Sequence, residues 1–207
     1  MARALVAGLL LVLLAGCGSG AESGAPVTGI TRSDDDGYHG ILLDQPYAVP
    51  GLKLTDTEGR PFDLATQPRR TLVFFGYTRC PDICQVVMST IASARARLTP
   101  AEQEQVAVAF VTTDPTRDTL PVLRTYLDRF DPEFVGVTGK LDAIDSLARP
   151  LDIFIKHGKK LPSGGYEVDH STVVVSVLQG AGDLVWTGAT SPSDMAEDLQ
   201  QMLKEDP

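Results

Sequence analysis

Two apolar runs of seven residues constrain the fold more than any other part of the sequence. Thr71 to Tyr77 reads TLVFFGY and Val106 to Thr112 reads VAVAFVT, and neither run alternates with polar residues. Continuous runs of β-branched and aromatic residues are typical of strands that are covered on both faces. Between the runs, apolar residues recur at steps of three or four, which predicts a helix over about Pro81 to Leu98. The chain is therefore expected to fold around a sheet that helices cover.

The remaining segments extend this pattern into a complete α/β domain. Leu52 to Leu64 predicts a hairpin, and helix, strand and helix patterns follow the second apolar run. Thr172 to Leu178 and the LVWTG segment predict a terminal hairpin, and Ser191-Pro192 begins a last helix. This order predicts a three-layer α/β/α domain with a mixed central sheet and an N-terminal β-hairpin. A cysteine pair where the first buried strand meets its helix is typical of a thioredoxin-like fold.

The first 45 residues are predicted to lie outside this domain. Residues 1–16 contain a short apolar stretch after Arg3, as in a signal peptide, and end at a sequence that resembles the lipobox of bacterial lipoproteins. That resemblance implies that Cys17 carries the lipid. Residues 17–45 are small, polar and acidic, which predicts a flexible tether and leaves residues 46–207 for the domain. We expect a lipid-anchored protein on the outer face of the bacterial cytoplasmic membrane, where disulfides persist.

Composition narrows the partners and the role of the cysteines. The 207 residues carry a formal net charge of −9, which argues against nucleic acid as a partner, because such binding needs a basic face. We expect a monomer. With Cys17 lipidated, Cys80 and Cys84 are the remaining thiols of the three cysteines. A domain of this size does not need one disulfide to hold its core together, so the pair calls for a chemical role.

The segment YTRCPDICQ places Cys80 and Cys84 four positions apart. Residues at that spacing share a helix face, and we expect both to lie in an exposed first turn. There, unpaired backbone N–H groups and the positive helix end favour the thiolate. A thiolate is both a nucleophile and a metal ligand. Three intervening residues still allow a disulfide and leave room for an ion, so redox and metal chemistry both stay open.

A metal site needs a third ligand, and the chain offers three histidines. We expect His39, at the end of the tether, and His157, in a basic turn, to be surface residues. His170 precedes a buried strand, in a loop that faces the cysteine turn in a thioredoxin-like fold. Its neighbour Asp169 is expected either to orient the imidazole or to face solvent.

Two thiolates and one imidazole form a ligand set that suits Cu(I). Added oxygen ligands would extend the same set to Cu(II). Structural zinc takes a fourth protein ligand, and iron–sulfur clusters take more cysteines than this chain has. Copper is therefore the metal that this ligand set predicts.

Four segments in order, FFGYTRCPDIC, TTDPTRDT, GVTG and YEVDHST, resemble the Sco (SenC) family of copper-binding, thioredoxin-like assembly proteins. The resemblance covers about Pro50 to Met202. It implies one copper ion, held by Cys80, Cys84 and His170. It also implies delivery of copper to the dinuclear copper centre of cytochrome c oxidase subunit II, or maintenance of that subunit's cysteines in the reduced state. Arg79 and Gln85 depart from the pattern, because histidine and proline are common at those positions.

Two functions therefore remain from the sequence. One is a copper chaperone, and the other is a thiol–disulfide reductase in which Cys80 attacks and Cys84 resolves. A thiol peroxidase fits less well, since that class places threonine three residues before its reactive cysteine and this chain has Tyr77 there. Asp114 to Thr119 is expected to form a structural turn on the same rim, with Arg117 and Asp118 available for partner contacts.

Overall fold

The structure is a computed structural model that describes residues 37–160 and 166–206. For His157 and residues 159, 160 and 166–170 the description covers the backbone alone. The predicted signal peptide, Cys17 and most of the tether lie outside the described residues. Within the described part of the chain, no helix combines the length and the apolar composition that crossing a membrane requires.

Ten strands and five helices make up the described domain. The strands are β1 Ile41–Ala48, β2 Leu54–Asp56, β3 Pro61–Phe62, β4 Arg70–Gly76, β5 Val106–Thr112, β6 Val135–Thr138, β7 Ile155–Lys160, β8 Tyr166–His170, β9 Val174–Leu178 and β10 Ala181–Trp186. The helices are α1 Ile83–Arg95, α2 Pro100–Gln103, α3 Leu120–Leu127, α4 Leu141–Ala148 and α5 Pro192–Glu205. Short 3-10 turns at Leu64–Thr66 and Arg149–Leu151 complete the set.

The two apolar runs form adjacent parallel strands at the centre of the sheet. β4 pairs with β5 over seven residues, with Phe74 opposite Phe110, and every residue of β4 is buried. The sheet order is β1-β10-β9-β4-β5-β6-β2-β3. β4, β5 and β6 run parallel, whereas β9 is antiparallel to β4. The mixed sheet and the hairpin of β2 and β3 are therefore confirmed.

Helices cover both faces of this sheet because side chains of a strand alternate between them. Leu72 and Phe74 point to the face that carries α1, α3 and α5, and Val73 and Phe75 point to the face that carries α4. Both faces of β4 are thus covered, which explains why its sequence does not alternate with polar residues. The three-layer α/β/α arrangement is confirmed.

Three boundaries differ from those predicted. β1 begins at Ile41, so residues 41–45, which the sequence assigns to the tether, belong to the sheet. Helix α1 begins at Ile83, because the Asp82 carboxylate caps it by accepting a hydrogen bond from the Ile83 N–H at 2.5 Å. The segment that ends at His170 is a strand rather than a loop, and it pairs with β7 in a separate two-stranded sheet.

A buried carboxylate fastens the start of the folded chain to α5. Asp198 is 1% exposed and accepts hydrogen bonds from the backbone N–H groups of His39 and Gly40, both at 2.8 Å. The indole N–H of Trp186 donates to the same carboxylate at 2.7 Å. The neighbouring Glu197 makes an exposed contact of 3.1 Å with the His39 ring. Asp198 therefore joins the N-terminal segment, β10 and α5.

Replacing Asp198 with alanine is expected to lower the free energy of unfolding by about 2–4 kcal/mol, since two buried donors and one partly buried donor lose their acceptor. Glu197→Ala is the matched control, because it removes a neighbouring carboxylate whose pairing with His39 is exposed. The control is expected to cost about 0.5 kcal/mol or less. Urea unfolding followed by tryptophan fluorescence measures both. Equal losses in the two variants would contradict this role of Asp198.

Candidate metal centre

The two cysteines lie in the turn that connects the central strand β4 to helix α1. The backbone N–H of Cys80 donates to the carbonyl oxygen of Tyr77 at 3.2 Å, which closes the turn. The backbone N–H of Cys84 donates to Cys80 Sγ at 3.5 Å. Both residues are thiols, with no disulfide between them. The four-residue spacing thus brings the two cysteines into one compact site.

Both cysteines are buried, in contrast to the exposed first turn that the sequence predicts. Cys80 is 6% exposed and Cys84 is fully buried. Because α1 begins only at Ile83, Cys80 lies before the helix in a turn that packs inward, whereas Cys84 faces the sheet. A Cβ atom on Gly76 would lie 3.0 Å from Cys84 Sγ, so glycine at the end of β4 makes room for the sulfur.

Burial also changes the expected protonation of Cys84. Burial raises the pKa of the Cys84 thiol, and a hydrogen bond with Cys80 acts in the same direction, while a hydrogen bond from the Tyr77 backbone opposes them. The thiolate that the helix end was expected to favour is therefore disfavoured at Cys84, because loss of hydration outweighs the helix dipole there. A cation that binds this sulfur must displace its proton.

The buried carboxylate of Asp118 holds the cysteine turn against strand β5. Asp118 is 1% exposed and accepts hydrogen bonds from the backbone N–H of Thr78 at 3.0 Å and from its hydroxyl at 2.5 Å. The Thr112 hydroxyl donates to the same carboxylate at 2.6 Å. Asp118 is therefore a positioning residue, and the expectation that it faces a partner is wrong. Arg117 forms an ion pair with the buried Asp114 instead of remaining available.

The hairpin of β7 and β8 brings the backbone of His170 to the same region. His170 pairs with Ile155, and Ile155 packs against the apolar cluster that contains Cys80 and Cys84. Hydrogen bonds between Phe154 and Ser171, both at 3.1 Å, close the base of the hairpin. Val174, which begins β9, belongs to that cluster as well. The chain on both sides of His170 thus packs on the apolar cluster to which the cysteines belong.

The third ligand stays a prediction, because the side chains of His170 and Asp169 lie outside the described part. Among the side chains that the structure does describe, no three of His, Cys, Asp and Glu come together in a metal-binding group. His39 is about half exposed, as expected of a surface residue, and a hydrogen bond with Glu197 raises its pKa. The His157 side chain also lies outside the description.

The sequence gives no signal for one further residue near the cysteines. Tyr126 on α3 is 4% exposed and belongs to the same apolar cluster as the cysteines. Its hydroxyl is buried and has no hydrogen-bond partner among the described residues. Burial raises the pKa of Tyr126, and the nearby Cys84 adds to this effect. Helical spacing identifies Tyr126 as a core residue, but it cannot place the ring beside a turn nearly fifty residues away.

Replacing Asp118 with alanine is expected to lower the free energy of unfolding by about 2–4 kcal/mol, because the donors of Thr78 and Thr112 lose a buried acceptor. The loosened turn should also speed the alkylation of Cys80 by iodoacetamide. Asp128→Ala is the control, since it removes a half-exposed carboxylate of α3 that pairs with Arg124. The control should cost about 1 kcal/mol or less. Unchanged stability and alkylation in Asp118→Ala would refute the positioning role.

The SCO1/SenC family model matches residues 44–204. A curated relative from Stutzerimonas stutzeri is 34% identical over 132 residues, which make up 63% of this chain and 64% of that protein. The match to the mitochondrial protein SCO2 of Saccharomyces cerevisiae, at 29% identity, covers 65% of this chain and 44% of that protein. The chain thus spans less than two thirds of the length of these curated relatives.

Solved structures agree with the family model. Apo Sco1 from Thermus thermophilus has a TM-score of 0.72 at 32% identity, over 80% of this chain and 96% of that one. Bradyrhizobium japonicum ScoI with copper bound has a TM-score of 0.67 at 26% identity, over 74% and 98%. BsSco, described as a member of the Sco family of cytochrome c oxidase assembly proteins, has a TM-score of 0.61 at 20% identity, over 75% and 93%, and supports the fold alone. The predicted thioredoxin-like fold is confirmed. The chain belongs to the SCO1/SenC family.

Proposed function

We propose that this protein is a membrane-tethered copper-binding chaperone that delivers copper to the dinuclear copper centre of cytochrome c oxidase subunit II. The observation that carries the proposal is the cysteine turn. Its two thiols pack together, and the base of the β7–β8 hairpin packs on the same apolar cluster. The copper bound to Bradyrhizobium japonicum ScoI supports the choice of metal, and membership of the SCO1/SenC family supports the choice of partner.

Cys80, Cys84 and His170 are the proposed ligands of one copper ion. Two thiolates and a neutral imidazole are soft enough donors for Cu(I) and, with added oxygen ligands, serve Cu(II). Asp118 holds the cysteine turn through Thr78, and Gly76 leaves room for the Cys84 sulfur, whereas His170 is at the end of a hairpin strand. Asp169 is proposed to orient the imidazole. Release of the ion then proceeds by exchange, as thiolates of the receiving protein replace these ligands one at a time.

Tethering through a lipid on Cys17 is part of the proposal. The place where the first described residues contact the domain is consistent with it. Gly37 lies beside Gln201, near the C-terminal end of α5, and the Tyr38 hydroxyl donates to Glu205 at 2.9 Å. Pro192, at the other end of α5, shares a surface groove with Gln85, next to the cysteine turn. A helix of 14 residues is about 20 Å long. The tether would thus join the domain at the end of α5 that is remote from the cysteine turn.

Thiol–disulfide reduction of the oxidase subunit is the second candidate. The observation in its favour is the contact between the reduced thiols, in which Cys84 hydrogen-bonds to Cys80. A resolving thiol in this position attacks a mixed disulfide on Cys80, releases the reduced partner and leaves the protein as the disulfide. This reaction does not need His170, which gives a means of separating the two candidates.

His170→Ala is expected to weaken Cu(I) binding by about 100-fold or more, because it removes a proposed ligand. Loss of a ligand should lower the affinity more than loss of a group that only orients a ligand. Competition with a chromophoric chelator measures the affinity. His39→Ala and His157→Ala are the matched controls and should bind copper as the parent does. If His170→Ala binds copper normally but reduces the disulfide of oxidase subunit II at the parent rate, the reductase candidate replaces the chaperone.

Copper affinity is expected to rise with pH. Because burial raises the pKa of Cys84, its thiol is protonated at neutral pH and binding must release that proton. Each displaced proton makes the apparent affinity rise about tenfold per pH unit below that pKa. Cu(I) titrations at pH 6, 7 and 8, with the released protons counted by an indicator dye, test this. An affinity that does not change with pH would show that Cys84 is not a ligand.

A further inference from the structure

A groove runs along α3, beside the cysteine turn. It has a volume of about 430 Å³ and is lined by Thr78, Pro121, Val122, Thr125, Tyr126 and Arg129. We call it the α3 groove. Its cysteine end is fixed, because Asp118 binds both the backbone N–H and the hydroxyl of Thr78. The groove is therefore a preformed surface that begins two residues before Cys80.

The groove exposes apolar surface. Val122 is one of four large apolar side chains that are substantially exposed in the described part of the chain, and it lines the groove beside Pro121. Exposed apolar surface with a polar rim is typical of a site where another protein packs.

The groove also carries positive charge that this chain does not neutralise. The Arg129 guanidinium stacks over the Tyr126 ring, 4.7 Å from its centre, and its Nε donates to the Tyr126 carbonyl oxygen. Five other arginines form ion pairs with carboxylates. Among the side chains described, no carboxylate lies within ion-pair distance of Arg129. In a protein of net charge −9, a guanidinium without a carboxylate partner beside an apolar surface indicates an acidic ligand.

We propose that the α3 groove binds an extended segment of the protein that accepts the copper, and that this segment carries a carboxylate beside an apolar side chain. The carboxylate pairs with the guanidinium fork of Arg129, and the apolar side chain packs on Pro121 and Val122. The proposal rests on the proposed function, because it identifies the occupant with the copper acceptor. A protein segment is favoured over an anionic lipid headgroup because Pro121 and Val122 line the groove beside Arg129, and a phosphate headgroup would leave that apolar surface uncovered.

Charge reversal in the groove tests this assignment. The copper-loaded protein is titrated with the soluble domain of the host's own oxidase subunit II, and both the dissociation constant and the copper transferred are measured. Arg129→Glu and Val122→Asp are each expected to raise the dissociation constant about tenfold or more. Val122 is exposed and lies in the first turn of α3, where an acidic residue favours the helix, so this variant should fold. Arg129→Lys is expected to lose less, because it keeps the charge without the fork.

Arg97→Glu is the matched control. Arg97 is exposed just beyond the end of α1 that is far from the cysteines. Among the contacts described, its side chain donates only to the Ser93 carbonyl oxygen. This variant should bind the domain within about twofold of the parent. Copper affinity should be the same in all four variants, which separates docking from metal binding.

The outcomes distinguish this assignment from the proposed function. If the parent transfers copper and the groove variants bind the domain as the parent does, the α3 groove is not the docking site and the chaperone function stands. If the parent transfers no copper to the domain, the proposed chaperone function is wrong. The proposal that the copper acceptor occupies the α3 groove is then wrong as well. If charge reversal changes binding to phosphatidylglycerol vesicles but not to the domain, the groove binds lipid and the assignment is overturned.

Discussion

The hydrogen bonds of the Asp118 carboxylate are the interaction on which the geometry of the site depends. Asp118 follows β5, and it binds Thr78 in the cysteine turn and Thr112 at the end of β5. The backbone N–H of Thr113 also donates to the Gly76 carbonyl oxygen at 2.7 Å. Hydrogen bonds thus join the segments that follow the parallel strands β4 and β5, so these segments are not independent loops. Because the carboxyl ends of parallel strands meet at one edge of the sheet, residues forty positions apart can define one rigid turn.

The cysteines combine proximity with burial, and the two properties have opposite effects on the copper binding that we propose. Proximity would provide two sulfur donors at little cost in conformational entropy, because the turn is already ordered. Burial keeps Cys84 protonated, so the proposed binding is linked to proton release. A site of this kind would hold a metal ion more weakly as the pH falls. It also keeps the reduced thiols from random oxidation, since neither sulfur is broadly exposed.

Local patterns predicted the centre of the fold well and its periphery less well. β5 has the predicted bounds, because a continuous β-branched run can be satisfied only by burial on both faces. β1 escaped prediction because its sequence, ILLDQPYA, contains a proline and pairs with β10 through a break in register. The segment of β8 was predicted as a loop because it contains polar residues. As a strand it pairs with β7 alone, so these polar residues do not have to fit an apolar face of the central sheet. Strands at edges depend on neighbours that the sequence does not specify.

The sequence by itself determined the fold class and the presence of two cysteines at the junction of a buried strand and its helix, because periodicity, capping and spacing are local properties. It also determined the family, through four short segments that resemble it. Tertiary structure decided which groups surround those cysteines. It buried both sulfurs, turned Asp118 inward to fix the turn, and placed Tyr126 and the α3 groove beside them. These features arise from contacts between residues distant in the chain. Desolvation and hydrogen bonding at such contacts depend on three-dimensional packing, which no short segment encodes.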